Sequence, residues 1–183
     1  GKIAGMHYLR DAGENASEHT RYYFRDAYTL FYRTEEVDDL IKKIHVYPEW
    51  ERAKRIRAFY AYVKHYRYVG ENAFRRGNTL NSIQCEMLLV FFACRLVLAH
   101  NRRLFPGHKA LLEEAGRCAD APRGFVEMSG HLLAHMSPEE MIRYHEKVID
   151  YFREYDYPDE ERIGIILANE WTWYTRQLTI SEW

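Results

Sequence analysis

Three groups of side chains in this sequence are spaced so that they could act together. His131 and His135 stand four apart in a stretch of helical periodicity, the separation that puts two imidazoles on one helix face for a metal ion. Two histidines do not complete a metal site, and no Glu stands between them in the zinc-hydrolase position, so a structural or surface use competes with ligation. Arg95 and His100 give an Arg-x4-His spacing. A guanidinium there would steady phosphate charge, and an imidazole would work as acid or base near neutral pH. The third group is the stretch Asn101-Arg102-Arg103-Leu104-Phe105-Pro106-Gly107-His108-Lys109, which closes an apolar helix with a turn. Its amide and cations could hold a phosphate or a polar acceptor. Cations at a helix C-terminus also stabilise the helix without any ligand, which is the competing reading. The chain has no Gly-Ser dipeptide and no Asp-x-Asp pair; Asp38 and Asp39 are adjacent on a predicted helix and point to different sides. No pair of carboxylates is spaced to share a magnesium ion.

These groups need elements to position them. Residues 22–33 carry an alternating aromatic run that predicts a strand over 27–33, with Tyr28, Leu30 and Tyr32 on one face. A strand standing alone would need partners from other sequence or another chain. Thr34 reads as the N-cap of a helix reaching His45, with Glu35 and Glu36 in its first turn. Pro48 opens a long helix over roughly 48–76. Ile56, Phe59, Tyr62, Val63, Tyr66, Val69 and Ala73 form its apolar side, while Arg57, Lys64, Arg67, Glu71 and Arg75 lie opposite with Tyr60 and Tyr68 beside them. Gly77 ends it.

A second long helix runs from Thr79 to about Arg103. Its residues 87–99 are apolar all round except for Arg95, which places it in the middle of a bundle. Arg95 must therefore meet a carboxylate or open into a pocket. After the Pro106-Gly107 break come a short helix over 108–119 and another from Pro122 to about Met136. Ser137-Pro138-Glu139-Glu140 is a capping box that starts a helix to about Tyr155, and a last helix covers roughly 159–175. The expected fold is mainly α: five to six helices in a bundle over residues 47–183, preceded by a short β/α segment over 1–46.

Composition narrows the class. The 183 residues are 47% hydrophobic and 29% charged, which excludes a disordered chain and a membrane-embedded one. Cys85, Cys94 and Cys118 are odd in number and lack zinc spacing, which excludes a disulfide scaffold and implies reduced thiols and a cytoplasmic location. The first residues hold no apolar core of a signal peptide. The chain opens on Gly1, as a portion of a longer protein would. The net charge of −1 hides opposed blocks: residues 1–47 carry −1, residues 48–109 carry +8 and residues 110–183 carry −8. Two readings follow, mutual pairing between helices or a basic face for a phosphate-bearing ligand.

The Arg95/His100 pair resembles the catalytic motif of HEPN ribonucleases, helical bundles in which the two residues face a cleft in a dimer and act on RNA phosphate. Leu96 departs from the polar residue usual after that Arg. Taken with its surroundings, the third group carries a different resemblance. The order TLFYR, VDDLIKKIHVYPEW, a long helix ending ENAFRRGN, then LLVFFACRLVLAHNRRLFPGHKALLEEA resembles the C-terminal half of polymerase-beta-like nucleotidyltransferases, of the kanamycin-nucleotidyltransferase type. It covers about residues 25–125.

That resemblance implies a substrate-binding helical domain lining an acceptor and nucleotide pocket, with Asn101, Arg103 and Lys109 at the pocket edge and Arg75 and Arg76 near it. It also implies a nucleoside triphosphate and magnesium for the full enzyme, held by an upstream catalytic domain. This chain supplies no cofactor site of its own and, lacking Gly-Ser and Asp-x-Asp, no catalytic residues for transfer. The alternative is a free-standing module that binds or acts on RNA, or a dimeric interaction domain. The expected partners are a small-molecule acceptor or nucleotide, the upstream domain and a second copy, with no membrane.

Overall fold

The computed structural model describes residues 5–171, and every regular element among them is helical. Two long helices form the centre. Helices α1 (Met6–Asn15), α2 (Glu18–Tyr23) and α3 (Glu36–Ile44) lead to α4 (Glu49–Arg75) and α5 (Thr79–His100). A 3-10 turn at His108–Ala110 opens α6 (Leu111–Gly116). Then come α7 (Phe125–His135), α8 (Pro138–Tyr151), a second 3-10 turn at Arg153–Tyr155 and α9 (Asp159–Glu170).

α4 and α5 lie antiparallel because only a tight turn joins them. Gly77 takes the left-handed φ of +65° that this turn needs, and the Asn78 side chain accepts from Asn81 N at 3.1 Å to cap α5. The apolar side foreseen for α4 packs on α5: Tyr62 and Tyr66 stack on Phe92 with ring centroids 4.7 and 5.7 Å apart. Tyr60, expected beside the polar side, is buried as well. α8 and α9 cover α4, while α6 and α7 cover α5. Gly70 lets α8 approach, since a Cβ there would stand 2.6 Å from Met141 Sδ. Ser137 caps α8, its Oγ accepting from Glu140 N at 3.2 Å, while the Glu140 carboxylate turns to Arg143 and His131 rather than closing the box. α5 is long and apolar enough, by length and composition, to cross a membrane; here it is the bundle's mostly buried central helix.

The structure corrects the expected strand over 27–33. Those residues form irregular chain with no strand assignment, and Tyr28, Leu30 and Phe31 are about four-fifths or more exposed. Alternation supplies two faces but no hydrogen-bonding partner, and no second strand exists among the described residues. What precedes this stretch is helical instead, as α1 and α2. Their short polar sequences carry no apolar stripe long enough to announce them.

Several ends also shift. Glu35 in helical conformation, not Thr34, precedes α3, and Pro48 sits just outside α4. α5 stops at His100, α6 at Gly116 and α8 at Tyr151, while α7 starts at Phe125. α9 ends at Glu170, and the rest of the expected 159–175 helix beyond residue 171 lies outside the described residues.

Candidate functional site

The residues assigned to one basic face fall at two ends of the α4/α5 pair. α4 has 27 residues, which at 1.5 Å per residue separates its ends by about 40 Å. α4 runs through Gly70 without interruption, so nothing folds the two ends together.

At the far end, Asn101, Arg102 and Arg103 close α5. Arg102 takes a left-handed φ of +54°, and Arg103 N bonds back to Leu98 O at 2.9 Å, the six-to-one bond of a Schellman closure. The side chains there are committed. Asn101 Nδ2 donates to Val97 O at 2.8 Å and Asp120 O at 2.6 Å, and its Oδ1 accepts from Asp120 N at 3.2 Å. Arg102 bonds Glu49 at 3.0 Å and Arg103 bonds the buried Glu114 at 3.1 Å. Lys109 is exposed and forms no ion pair among the described residues. Helix closure and internal pairing account for this stretch, apart from Lys109.

Arg95 and His100, five residues apart on α5, face different neighbours. Arg95 is fully buried, with Nη2 3.1 Å from Glu18 Oε2 and its guanidinium 4.1 Å from the Phe105 ring centroid. Arg55 reaches the same carboxylate at 3.1 Å. Burial pulls Arg95 down to about 10 and pushes Glu18 up. His100 instead bonds Tyr155 OH through Nδ1 and Asp120 Oδ2 through Nε2, each at 2.7 Å. Tyr151 OH donates to the other Asp120 oxygen. That bond, with the one from His100, lowers the Asp120 carboxyl, and the bond to Asp120 holds Tyr151 up to about 12. The sequence spacing flagged His100 but held no sign of Asp120, Tyr151 and Tyr155, which arrive from a loop, from the end of α8 and from the 3-10 turn after it. The network orients His100 and pins the 117–124 loop.

The histidine pair on α7 stacks, with centroids 4.1 Å apart, and His131 lies 3.4 Å from Glu140. Among the described residues no three His, Cys, Asp or Glu side chains are grouped to hold a metal ion. Asp38 is tied to Lys42 and to Thr29 Oγ1.

The near end differs. A cleft of about 340 Å³ opens where α4 turns into α5, lined by Tyr68, Val69, Asn72, Ala73, Arg76, Asn78 and Asn81. The Arg76 side chain is exposed on its rim and has no hydrogen bond or ion pair among the described residues, while its backbone N bonds Asn72 O at 3.2 Å. Arg75, one residue back, bonds only the Asn72 amide oxygen, at 2.9 Å. No carboxylate lines the cleft. A smaller hollow of about 210 Å³ between α7 and α8 has Arg143 and Lys147 in its wall, but Glu140 is there too and bonds Arg143 at 2.6 Å. Of the residues expected to bind ligand, Arg76 lines the cleft with Arg75 bonded to Asn72 in its wall, and the lining adds Tyr68 and three asparagines that no sequence motif singled out. Comparison with family models, with curated proteins and with solved structures finds no match.

Proposed function

We propose that this chain is a ligand-binding helical module, not a catalyst in its own right, and that the cleft at the α4–α5 turn is its binding site. The observation that carries the reading is the contrast between the two ends of the bundle. Arg102 and Arg103 are matched by Glu49 and Glu114, whereas Arg75 and Arg76 have no acidic partner among the described residues; Arg76 borders a concave, amide-lined surface and Arg75 bonds Asn72 in its wall. On this reading the chain serves as the acceptor- or nucleotide-binding part of a nucleotidyltransferase-like protein. The magnesium-binding carboxylates would come from an upstream domain. Calorimetry with ATP and magnesium at low salt tests it: binding is expected, and Arg76→Ala is expected to remove it while leaving the fold intact. Binding that is unchanged in Arg76→Ala removes this site, and nucleotide transfer by the isolated chain overturns the non-catalytic half.

One observation favours a second reading, a dimeric interaction domain. Tyr28, Leu30, Phe31 and Tyr32 present a run of large apolar side chains to solvent, at 80%, 82%, 88% and 49% exposure. Light scattering of the intact chain against Phe31→Asp tests it. A monomer in both sinks this reading and leaves the first untouched.

A further inference from the structure

The hydrogen-bonding inventory of the cleft says what its occupant must offer. Each asparagine in the wall has one acceptor oxygen, with two lone pairs, and two N–H donors. All three oxygens already accept from the protein: Asn72 Oδ1 from Arg75 Nη1 at 2.9 Å, Asn78 Oδ1 from Asn81 N at 3.1 Å, and Asn81 Oδ1 from Cys85 Sγ at 3.6 Å. On the donor side only Asn72 is partly used, giving one N–H to Tyr68 O at 3.0 Å. The unused capacity of the wall is therefore weighted to donors: both N–H groups of Asn78 and of Asn81, one from Asn72 and the guanidinium of Arg76, against one remaining lone pair on each asparagine oxygen. Two adjacent cations, Arg75 and Arg76, have no carboxylate partner among the described residues. A peptide amide, a base edge or a sugar needs donors and acceptors in mixed order, and a cation needs the reverse of this wall.

We propose that the cleft at the α4–α5 turn takes a phosphate monoester, its dianionic head on Arg76 and the Asn78 and Asn81 amides, with Arg75 adding charge from the rim. Tyr68, 65% exposed beside the head-group position, offers a ring face to a flat ester group. This inference rests on the cleft being the binding site and narrows what that site accepts.

The test titrates the full chain with inorganic phosphate, phenyl phosphate, benzoate and benzamide, following the side-chain amide signals of Asn78 and Asn81 by NMR. Phenyl phosphate is expected to bind best and inorganic phosphate next, both moving the two asparagine signals and both weakening with salt. Arg76→Ala is expected to weaken phenyl phosphate by about tenfold or more, with Arg76→Lys recovering only part, because a bidentate contact is lost. Tyr68→Ala is expected to bring phenyl phosphate down to the level of inorganic phosphate. Benzamide binding as tightly as phenyl phosphate, with the same signals moving, overturns the phosphate assignment and keeps the site. Silence of the asparagine signals toward all four probes overturns both.

Discussion

Glu18 on α2 and Arg95 on α5, both at most 1% exposed, meet at 3.1 Å in the middle of the bundle and tie the N-terminal helices to its central helix. The arrangement is asymmetric, because Glu18 serves two guanidiniums: Arg55 reaches its other oxygen, also at 3.1 Å. Removing the carboxylate takes away the acid that Arg95 and Arg55 share and leaves Arg55 with Glu51 alone of the two acids it bonds. Glu18→Ala is expected to cost about 3–5 kcal/mol. Arg95→Met leaves Glu18 still paired with Arg55 and replaces a charge with a flexible apolar chain, so it should cost clearly less. Urea unfolding of the two variants reads the difference, and an equal loss would show that Arg55 contributes nothing to the pair.

That pair also marks where the sequence stops being legible. The burial of 87–99 and the need of Arg95 for a partner follow from an apolar run with one charge in it. Glu18 could not be named, because it sits in a short polar stretch with no periodic stripe, and contact across 77 positions leaves no local trace. α4, α5 and α8 were readable through their apolar faces, the Gly77 stop and the Ser137 cap. The aromatic alternation of 27–33 misleads because a strand is a property of two stretches of backbone, and no partner strand stands among the described residues. The candidate site was half legible. Arg75, Arg76, Arg103 and Lys109 cluster in sequence, and two consecutive helices packed antiparallel, legible in the sequence, already send 75–79 and 101–109 to opposite ends. The acids that neutralise Arg102 and Arg103 come from α4 and α6.

Two buried groups should give the stability of this protein opposing pH responses. Glu86 is 1% exposed, and burial pushes its carboxyl up to about 7. Between pH 4.5 and 7 the folded chain then holds a proton that the unfolded chain has lost, so this contribution is present at low pH and is lost as pH rises through 7. His145 is the reverse: burial, with Arg67, Lys64 and Arg162 around it, lowers it to about 4. Its contribution is present above pH 6.5 and is lost as pH falls toward 4. Each amounts to roughly 3 kcal/mol, and the two nearly cancel in the intact protein. Glu86→Gln should therefore reveal a protein that weakens in acid, and His145→Gln one that weakens toward neutral pH. Denaturant midpoints from pH 4 to pH 8 check both, and a flat profile in either variant would contradict the assignment.

Gly70 is set by crowding rather than by backbone shape. A Cβ there would stand 2.6 Å from Met141 Sδ and 3.2 Å from Cys85 Cβ, where α4, α5 and α8 converge. Met141 can swing its thioether aside for a single methyl, but the Cys85 Cβ is fixed to its helix. Gly70→Ala should thus stay near neutral, because the gain in helix propensity offsets the squeeze. Gly70→Val should lose about 1–3 kcal/mol by forcing the helices apart. Thermal unfolding of the pair decides it; a Val variant as stable as the parent would mean that α8 is free to retreat.

The loop after α6 is held by Asp120 as well as by Cys118 and Ala121, which pack against the core. Its carboxylate takes hydrogen bonds from His100 and Tyr151, and its backbone is clamped on both sides by the Asn101 amide. Cys118, two residues earlier, is half-buried, and burial pushes its thiol up to about 11, so little thiolate forms near pH 8. Replacing Asp120 by Ala removes the bonds to His100 and Tyr151 but not the Asn101 clamp on the backbone. The bundle should stay folded with nearly the same melting temperature, while the loop opens more often. Cys118 then gains exposure, its thiol falls toward the ordinary value, and labelling by a thiol reagent at pH 8 accelerates several-fold. Cys85 and Cys94 are buried within α5, so the fast phase belongs to Cys118 and disappears in a Cys118→Ser background. Asn101→Ala should act in the same direction, since it frees the loop backbone instead of its side chain. Unchanged labelling in both variants would mean that the contacts of Cys118 itself, among them its bond to Glu114 O at 3.6 Å, hold this loop without help from Asp120.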